Sequence, residues 1–275
     1  MKRDEVDVVQ FALPVAGDND IQIINNLRDQ VQNLKEMWTG RTPAGIPMVP
    51  DELTEAAFYD IPSVQKALNQ NCLSIGLDFE YVESVDISLK LLQNILLLSD
   101  TEDKMMVMVN SLIRSSKNTH ILLIDTTGNY ENYSNKVKNY ISGKENISQF
   151  VSQIEVEINK RKNSVINDHW LVILPHLESF IKVLSTNQEE LIDLFNECYK
   201  VGIHFVIGSL YNFINISIES FAKYVKNNTK TALIGMKLSD QNIFDKVYNS
   251  REKKPEKTTA YLHHNGVITQ IKLLN

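Results

Sequence analysis

The sequence predicts an α/β fold in which a mostly parallel central sheet is flanked by helices and followed by a β-hairpin. Short apolar runs alternate with stretches of helical periodicity from Leu73 onward. Runs that are apolar throughout are typical of strands buried on both faces, and such strands occur mainly in parallel sheets. The last run, "TTAYLHHNGVITQIKLL", places Asn265-Gly266 between two β-rich segments, which predicts a hairpin with a two-residue turn.

The first 45 residues form a predicted unit of their own. The run Val6–Val15 is β-rich and predicts a strand, and residues 18–20 provide the cap of the helix that follows. Apolar residues at alternating three- and four-residue spacing give this helix an amphipathic stripe: Ile24, Leu27, Val31, Leu34 and Trp38. Thr39–Leu53 contains three prolines and two glycines, which predicts a linker and a domain boundary between residues 1–45 and 46–275.

The second unit, residues 46–275, carries the alternating pattern. Apolar runs predict strands at Leu73–Phe79, Asn94–Ser99, Thr119–Asp125, His169–Leu174, Ile203–Ser209 and Lys230–Met236. Helical periodicity predicts helices within Lys104–Ser116, Ile147–Lys162 and Glu189–Gly202. In the second of these helices one face is apolar: Ile147, Val151, Ile154 and Ile158.

Composition excludes several classes of function. The net charge is −6, so the sequence lacks the basic footprint of a nucleic-acid-binding protein. The one basic cluster, Asn249–Thr259, also contains acids and predicts a solvated loop. The two cysteines, Cys72 and Cys198, are expected to be buried small hydrophobic residues rather than a disulfide or metal pair. No apolar run approaches the roughly 18 residues of a membrane span, and a cytosolic environment is the expectation.

The loop after Ser99 has the strand–loop–helix layout of a phosphate-binding loop. The functional motif needs two glycines, a lysine and a hydroxyl, because backbone amides wrap the phosphates and the hydroxyl holds Mg²⁺. Aligning Lys104 with the motif lysine puts Leu98 and Asp103 at the glycine positions and Met105 at the hydroxyl. Acidic residues surround Lys104 and suit a helix start better than an anion site. We therefore expect a vestigial site that binds neither ATP nor Mg²⁺ as a cofactor.

Three further loops follow predicted strands at the same edge of the sheet. Asp125 is followed by "TTG", which predicts a turn capped by the aspartate and ending at Gly128. Pro175-His176 stands where a metal-binding acidic pair would be required, although His176 is a candidate base. Aromatic residues after the strand at Ser209 are candidates for partner contact or for packing on the sheet: Tyr211, Phe213 and Tyr224. We find no catalytic set and no metal-ligand spacing in the sequence.

The order of these pieces resembles the motor domains of the FtsK/SpoIIIE family. The matching stretches span Leu73 to Asn242: "SIGLDFEYVESVDISLKL", "ILLID", "WLVIL" and "KVGIHFVIGS". This resemblance implies a RecA-like P-loop NTPase fold, with Leu98–Met105 as the vestigial P-loop and Pro175-His176 as the vestigial Walker B position. The first unit is similar to the closing strand and helix of a preceding motor domain, and "IPMVPDELT" is similar to the lead-in of a further one.

A tandem array with a degenerate last member resembles the membrane-anchored coupling ATPases of type VII secretion. The resemblance implies a cytoplasmic domain whose partners are secreted substrate proteins and neighbouring ATPase domains. Motor domains of this family often assemble as hexamers, so oligomerisation of the full-length protein stays open.

Three hypotheses follow from the sequence. The first is a pseudo-ATPase domain that recognises substrate proteins or regulates neighbouring motor domains. The second is an unusual ATPase that uses Lys104 with Asp125 or His176. The third is an α/β protein that binds a small molecule or another phosphoryl compound and shares only the fold.

Overall fold

The computed structural model describes residues 14–40, 45–162, 168–184, 187–244 and 251–275. The chain divides into two compact units, Met1–Ile46 and Pro47–Asn275. The strand predicted at Val6–Val15 falls almost wholly on residues 1–13, which lie outside the described residues. No helix among the described residues is long and apolar enough to cross a membrane.

The first unit contains one long helix, α1 (Asp20–Met37). Its N-cap is Asn19, whose side chain accepts a hydrogen bond from the Gln22 amide at 2.9 Å, so the predicted cap is confirmed. The predicted apolar stripe lies along α1 and ends on Trp38, just past the helix. No residue of α1 is buried, and the stripe side chains are exposed in this structure.

The second unit contains eight helices and ten strands among its described residues. The helices are α2 (Glu55–Tyr59), α3 (Pro62–Asn69), α4 (Glu102–Ser115), α5 (Lys144–Arg161), α6 (Leu177–Val183), α7 (Gln188–Cys198), α8 (Tyr211–Ile216) and α9 (Ser220–Asn228). The strands are β1 (Cys72–Asp78), β2 (Ser84–Ser88), β3 (Asn94–Ser99), β4 (His120–Asp125), β5 (Asn139–Ser142), β6 (Trp170–Leu174), β7 (Ile203–Leu210), β8 (Thr231–Ile234), β9 (Thr259–His264) and β10 (Val267–Lys272).

All ten strands form one sheet in the order β2-β1-β10-β9-β8-β3-β7-β6-β4-β5. The six strands from β8 to β5 are parallel, and β3 lies between β7 and β8. The four remaining strands are joined by antiparallel pairings. The turn of the β9–β10 hairpin is Asn265-Gly266, and both residues have positive φ, as the sequence predicts.

The sheet is covered on both faces, which confirms the interpretation of its apolar strands. Every residue of β3 is buried, and its side chains alternate between two cores. Leu96 and Leu98 pack in the core that also contains the predicted apolar face of α5. Ile95 and Leu97 pack in the core on the other face, against α4. A smaller core surrounds Phe58 at the α2–α3 end of the unit.

Candidate functional site at the ends of the parallel strands

The carboxyl ends of β3, β4, β6 and β7 meet at one edge of the sheet, as the parallel pairing requires. Helices α4, α6 and α8 begin at this edge directly after β3, β6 and β7. In an open parallel sheet this is the edge where ligands bind. The structure therefore brings the predicted segments Leu98–Met105, Asp125 and Pro175-His176 to the expected edge.

The connection between β3 and α4 is too short to wrap a phosphate. β3 ends at Ser99 and α4 begins at Glu102, so only Asp100 and Thr101 lie between them. A phosphate loop needs several successive backbone amides that point at the anion. Leu98, at the predicted first glycine position, is a fully buried strand residue whose carbonyl accepts a hydrogen bond from the Gly235 amide.

Lys104 is buried in a cage of backbone carbonyls rather than exposed at the strand ends. Its ammonium donates to the carbonyl oxygens of Glu256 at 2.5 Å, Lys257 at 2.9 Å and Thr259 at 2.6 Å. Its side chain is only 6% exposed. Burial, together with the nearby Lys254, lowers the pKa of Lys104 to about 8, while Asp100 opposes the shift. An ammonium has three N–H donors, so this geometry uses all of them.

The carbonyl cage belongs to residues 251–258, here called the strap, together with the first residue of β9. The strap is a loop in which most residues are exposed, as the basic cluster predicts, but it is also tied down at three points. The first point is the set of carbonyl bonds to Lys104. At the second point, Lys254 of the strap donates to Asp100 at 2.5 Å. The carboxylate of Glu252 accepts from two backbone amides, those of Leu238 and Ser239, at 2.6 and 2.9 Å. Sequence patterns give no signal for pairings across some 150 residues.

The positions predicted for Walker B and for the Mg²⁺ hydroxyl are closely packed. Met105 is 1% exposed and belongs to the core between α4 and the sheet. A Cβ added to Gly208 of β7 would lie 2.1 Å from the Pro175 carbonyl oxygen and 2.9 Å from the Met105 sulfur. Asp103, at the predicted second glycine position, lies in the first turn of α4, where a negative charge suits the helix dipole.

Asp125 is the cap of the turn that follows β4, as the sequence predicts. One carboxylate oxygen accepts from the amide and hydroxyl of Thr127 and from the Gly128 amide. The other accepts from the Tyr130 amide and the Tyr140 hydroxyl. Burial alone would raise the pKa of Asp125, but these hydrogen bonds outweigh it and lower the pKa. Five donors leave this carboxylate little capacity for a metal ion or a proton.

His176 is a predicted site residue with a buried ring nitrogen that makes no hydrogen bond among the described residues. It is the N-cap residue of α6, and its Nδ1 lies 3.3 Å from a carboxylate oxygen of Glu102 at the start of α4. Its ring packs at 5.6 Å from the ring of Tyr130. Its Nε2 is buried and has no hydrogen-bond partner among the described residues.

The three predicted partner-contact aromatics are half-buried residues that pack against the core. The hydroxyl of Tyr211 donates to Asn242 at 3.2 Å, and that of Tyr224 donates to Asn196 at 2.7 Å. Phe213 likewise packs on the sheet. Packing on the sheet, one of the two alternatives that the sequence leaves open for these aromatics, is therefore present in the structure. In this segment the exposed large apolar residues are Ile216 and Ile218, at 78% and 81%.

The described residues contain no group of three histidine, cysteine or acidic side chains that could hold a metal ion. What the strand ends provide is a lysine, an aspartate and a set of loops whose polar groups bind one another. Such an arrangement holds the loops rigidly and leaves one imidazole nitrogen, that of His176, for other chemistry.

Comparisons with known proteins match this chain to one family model and to proteins of secretion systems. The model of the helicase HerA central domain matches residues 104–275, which is more than half of the chain. The type VII secretion system protein EssC of Staphylococcus aureus strain MRSA252 is 28% identical over 253 residues, covering 90% of this chain and 17% of the relative. The ESX secretion system protein EccC of Geobacillus thermodenitrificans is 22% identical over 293 residues, covering 99% of this chain and 20% of the relative.

Solved structures share the fold. The structure of EssC ATPases 2 and 3 from Geobacillus thermodenitrificans matches with a TM-score of 0.79 at 18% identity, over 95% of this chain and 52% of that chain. The structure of Thermomonospora curvata EccC ATPases 2 and 3 in complex with a signal sequence peptide matches with a TM-score of 0.59 at 13% identity, over 94% of this chain and 49% of that chain. The predicted resemblance and the P-loop NTPase fold are confirmed. The chain spans about a fifth of the length of its curated relatives.

Proposed function

We propose that this chain, which belongs to the family of the helicase HerA central domain, is a non-catalytic, pseudo-ATPase domain of a type VII secretion coupling protein. The similarity to EssC and EccC over 90% and 99% of the chain supports the place in secretion. The domain keeps the motor fold and acts by recognising substrate proteins, by regulating neighbouring ATPase domains, or by both.

One observation carries the non-catalytic part of the proposal: the carbonyl cage of Lys104. A P-loop lysine acts by presenting its charge to the nucleotide phosphates. Here the three N–H donors of the ammonium are occupied by peptide oxygens of the strap and β9. Binding ATP in the usual way would require breaking those bonds and rebuilding the two-residue connection between β3 and α4. We propose that the domain binds neither ATP nor Mg²⁺ at this site.

The partner role has separate support. The similar EccC structure is a complex with a signal sequence peptide, so a protein with this fold binds a peptide of that kind. The similar EssC structure contains two ATPases in one chain. We propose by analogy that this domain contacts secreted substrate proteins and adjoining ATPase domains, and that the exposed stripe of α1 belongs to such an adjoining domain. In this proposal it is a cytoplasmic part of a membrane-anchored protein that assembles into oligomers.

A second candidate function is an unusual ATPase that uses Lys104 with Asp125 or His176. The buried, unpaired Nε2 of His176 favours it, because such a nitrogen is available as a base. The engagement of Lys104 and Asp125 in internal bonds counts against it.

Hydrolysis of Mg-ATP by the purified chain separates the two functions. The pseudo-ATPase proposal expects phosphate release no faster than in a control without protein under the same conditions. Turnover above that background, retained in the surface variant Lys257→Met and lost in His176→Asn, would establish the ATPase. Circular dichroism of each variant confirms that it is folded.

A further inference from the structure

The central sheet has a gap between β1 and β10. β9 pairs with β10 along its whole length, from Val267 to Lys272. On the other side β1 pairs with β10 at two positions only, Leu77 with Lys272 and Asp78 with Ile271. Residues 267–270 therefore have a strand neighbour on one side only, among the residues that the structure describes. Every second one of them turns its backbone N–H and C=O toward the open side.

The gap has a local structural cause in β1. The register of β1 against β2 shifts between Ser74 and Gly76, which marks a bulge. A Cβ added to Gly76 would lie 2.3 Å from the Lys272 carbonyl oxygen, so the backbones of β1 and β10 approach each other closely at this point. A bulge bends its strand, and two residues after Gly76 the chain leaves β10 in a turn toward β2.

That turn, residues 79–83, is fixed and presents two aromatic side chains. The carboxylate of Asp78 accepts from the amides of Glu80 at 2.8 Å, Tyr81 at 2.6 Å and Glu83 at 3.0 Å. Val82 has a φ of 56°, a left-handed conformation that is rare for a β-branched residue. Backbone strain of this kind persists only where surrounding contacts enforce it.

The turn and the open edge of β10 enclose a common cavity of about 400 Å³. Its walls are the turn, with Phe79 and Tyr81, and residues 268–270 of the strand. Phe79 is 42% exposed and Tyr81 is 65% exposed. The acidic residues that line the cavity are Asp78 and Glu80, and no lysine or arginine lines it. The cavity thus combines unpaired backbone groups, aromatic surface and negative charge.

We propose that this gap binds an extended peptide segment of a partner protein as an added β-strand, with basic residues flanking an aromatic or β-branched residue. The open edge of β10 provides the backbone hydrogen bonds that characterise strand addition, and side-chain pockets provide specificity. Four residues of strand span about 13 Å, so the edge fits a short segment. The acidic rim selects the basic flanks. The proposal rests on the proposed function in one respect only: the peptide is taken to come from a secreted substrate protein or an adjoining ATPase domain.

Amide chemical shifts measured by NMR during a peptide titration test this proposal. The probe is the hexapeptide acetyl-Lys-Thr-Val-Tyr-Thr-Lys-amide, added to the full chain labelled with ¹⁵N. We expect saturable binding with the largest shifts at the amides of Ile268 and Gln270. The matched control peptide has the same sequence with N-methylated backbone at alternate residues, which removes strand donors and should abolish binding.

Surface variants connect the binding to the cavity. Tyr81→Ala should weaken the affinity about tenfold, because it removes an aromatic contact at the centre of the site. Glu80→Lys should weaken it about fivefold at low salt and less at high salt. Val156→Ala, which truncates an apolar side chain on α5 that is 69% exposed, should leave it unchanged.

Three outcomes would overturn the proposal: no shifts at millimolar peptide, equal binding of the N-methylated peptide, or binding that Tyr81→Ala leaves unchanged. Concentration-dependent dimerisation that Tyr81→Ala abolishes would assign the edge to a second copy of the chain and would also contradict the proposal. None of these outcomes bears on ATP turnover, so failure here is distinguishable from failure of the proposed function.

Discussion

The two candidate binding regions of this chain differ in what their polar groups bind. At the carboxyl ends of the parallel strands, Lys104 and Asp125 are saturated by hydrogen bonds from their own chain. At the gap beside β10, residues 267–270 have no strand neighbour on their β1 side among the residues that the structure describes, and Tyr81 is largely exposed. Buried polar groups that bind one another stabilise a fold, whereas unpaired groups at an accessible edge leave binding energy for a partner.

The comparison also separates ancestry from present chemistry. The strand-end region has the layout of a motor site, and its residues now hold the strap and the turns in place. The gap has no counterpart in the motifs of a phosphate-binding loop, yet it carries the unused hydrogen-bonding capacity. Three substitutions at the carboxyl ends of the strands, and one pH dependence at their amino-terminal ends, test how firmly such internal contacts hold the fold.

The largest effect on stability is expected from a methyl group added at Gly208, where β7 packs against Pro175 and Met105. Gly208→Ala puts a Cβ 2.1 Å from the Pro175 carbonyl oxygen, so β6 and β7 must separate or shift. We expect a loss of more than about 3 kcal/mol in the free energy of unfolding, measured by urea denaturation. Gly45→Ala, where a Cβ meets nothing within 4 Å, is the control. A loss below about 1 kcal/mol would show that space remains between Gly208, Pro175 and Met105.

A second buried polar cluster, at the amino-terminal ends of the strands, extends the comparison, because its contribution to stability is expected to depend on pH. His204 is 1% exposed, and its Nε2 lies 2.9 Å from Nδ1 of His169. Burial, together with the charge of His169, lowers the pKa of His204 from 6.5 to about 4. His204 binds a proton below about pH 6.5 in the unfolded chain, but only below about pH 4 in the folded chain. Between these values protonation favours the unfolded chain, so the free energy of unfolding falls as the pH drops through this window.

The expected loss from His204 is about 3 kcal/mol between pH 6.5 and pH 4. Denaturant midpoints should be measured at several pH values for the native chain and for His204→Gln. The carboxylates titrate in both proteins, so the difference between the two pH profiles gives the contribution of His204. Parallel pH profiles for the two proteins would mean that His204 titrates normally.

The Asp125 cap gives a smaller effect that separates a structural role from a catalytic one. Asp125→Asn replaces one acceptor oxygen by an NH₂ group that faces backbone and hydroxyl donors. We expect a loss of about 2 kcal/mol, present at neutral pH and reduced as the pH falls through the acid range where Asp125 itself becomes protonated. Unchanged stability combined with loss of ATP turnover would instead identify Asp125 as part of an active site.

The smallest effect is expected from Lys104, because its hydrogen bonds offset the cost of burying its charge. Lys104→Met should lower the free energy of unfolding by about 1 to 2 kcal/mol. It should also increase hydrogen exchange in the strap. Lys257→Met is the matched control, since Lys257 contributes only its backbone carbonyl to the cage. If both variants behaved alike, Lys104 would not be holding the strap.

The strands that place the candidate site could be predicted because each is apolar along its length. β3 and β6 are buried on both faces, and their apolar runs stand out from the polar loops around them. β2 and β5 were not predicted as strands. β5 has only four residues at the sheet edge, and β2 carries Asp86 in its interior, so neither gives a strong periodic signal.

Site chemistry was predictable where it is local and hidden where it is not. The Asp125 turn follows from a strand-end aspartate three residues before a glycine, and it formed as predicted. The carbonyl cage of Lys104 and the meeting of β1 with β10 join residues more than 150 positions apart, and no pattern in one sequence reports such pairs. For the same reason the half-burial of Tyr211 and Tyr224 required the packed structure.

The most direct test of the closed site is calorimetric titration of the folded chain with Mg-ATP, alongside Lys104→Met. Because the donors of Lys104 are already bound and the β3–α4 connection has two residues, we expect no binding heat from either protein. Saturable binding by the native chain that Lys104→Met abolishes would contradict this account. It would mean that the strap opens and that the lysine still reaches a phosphate.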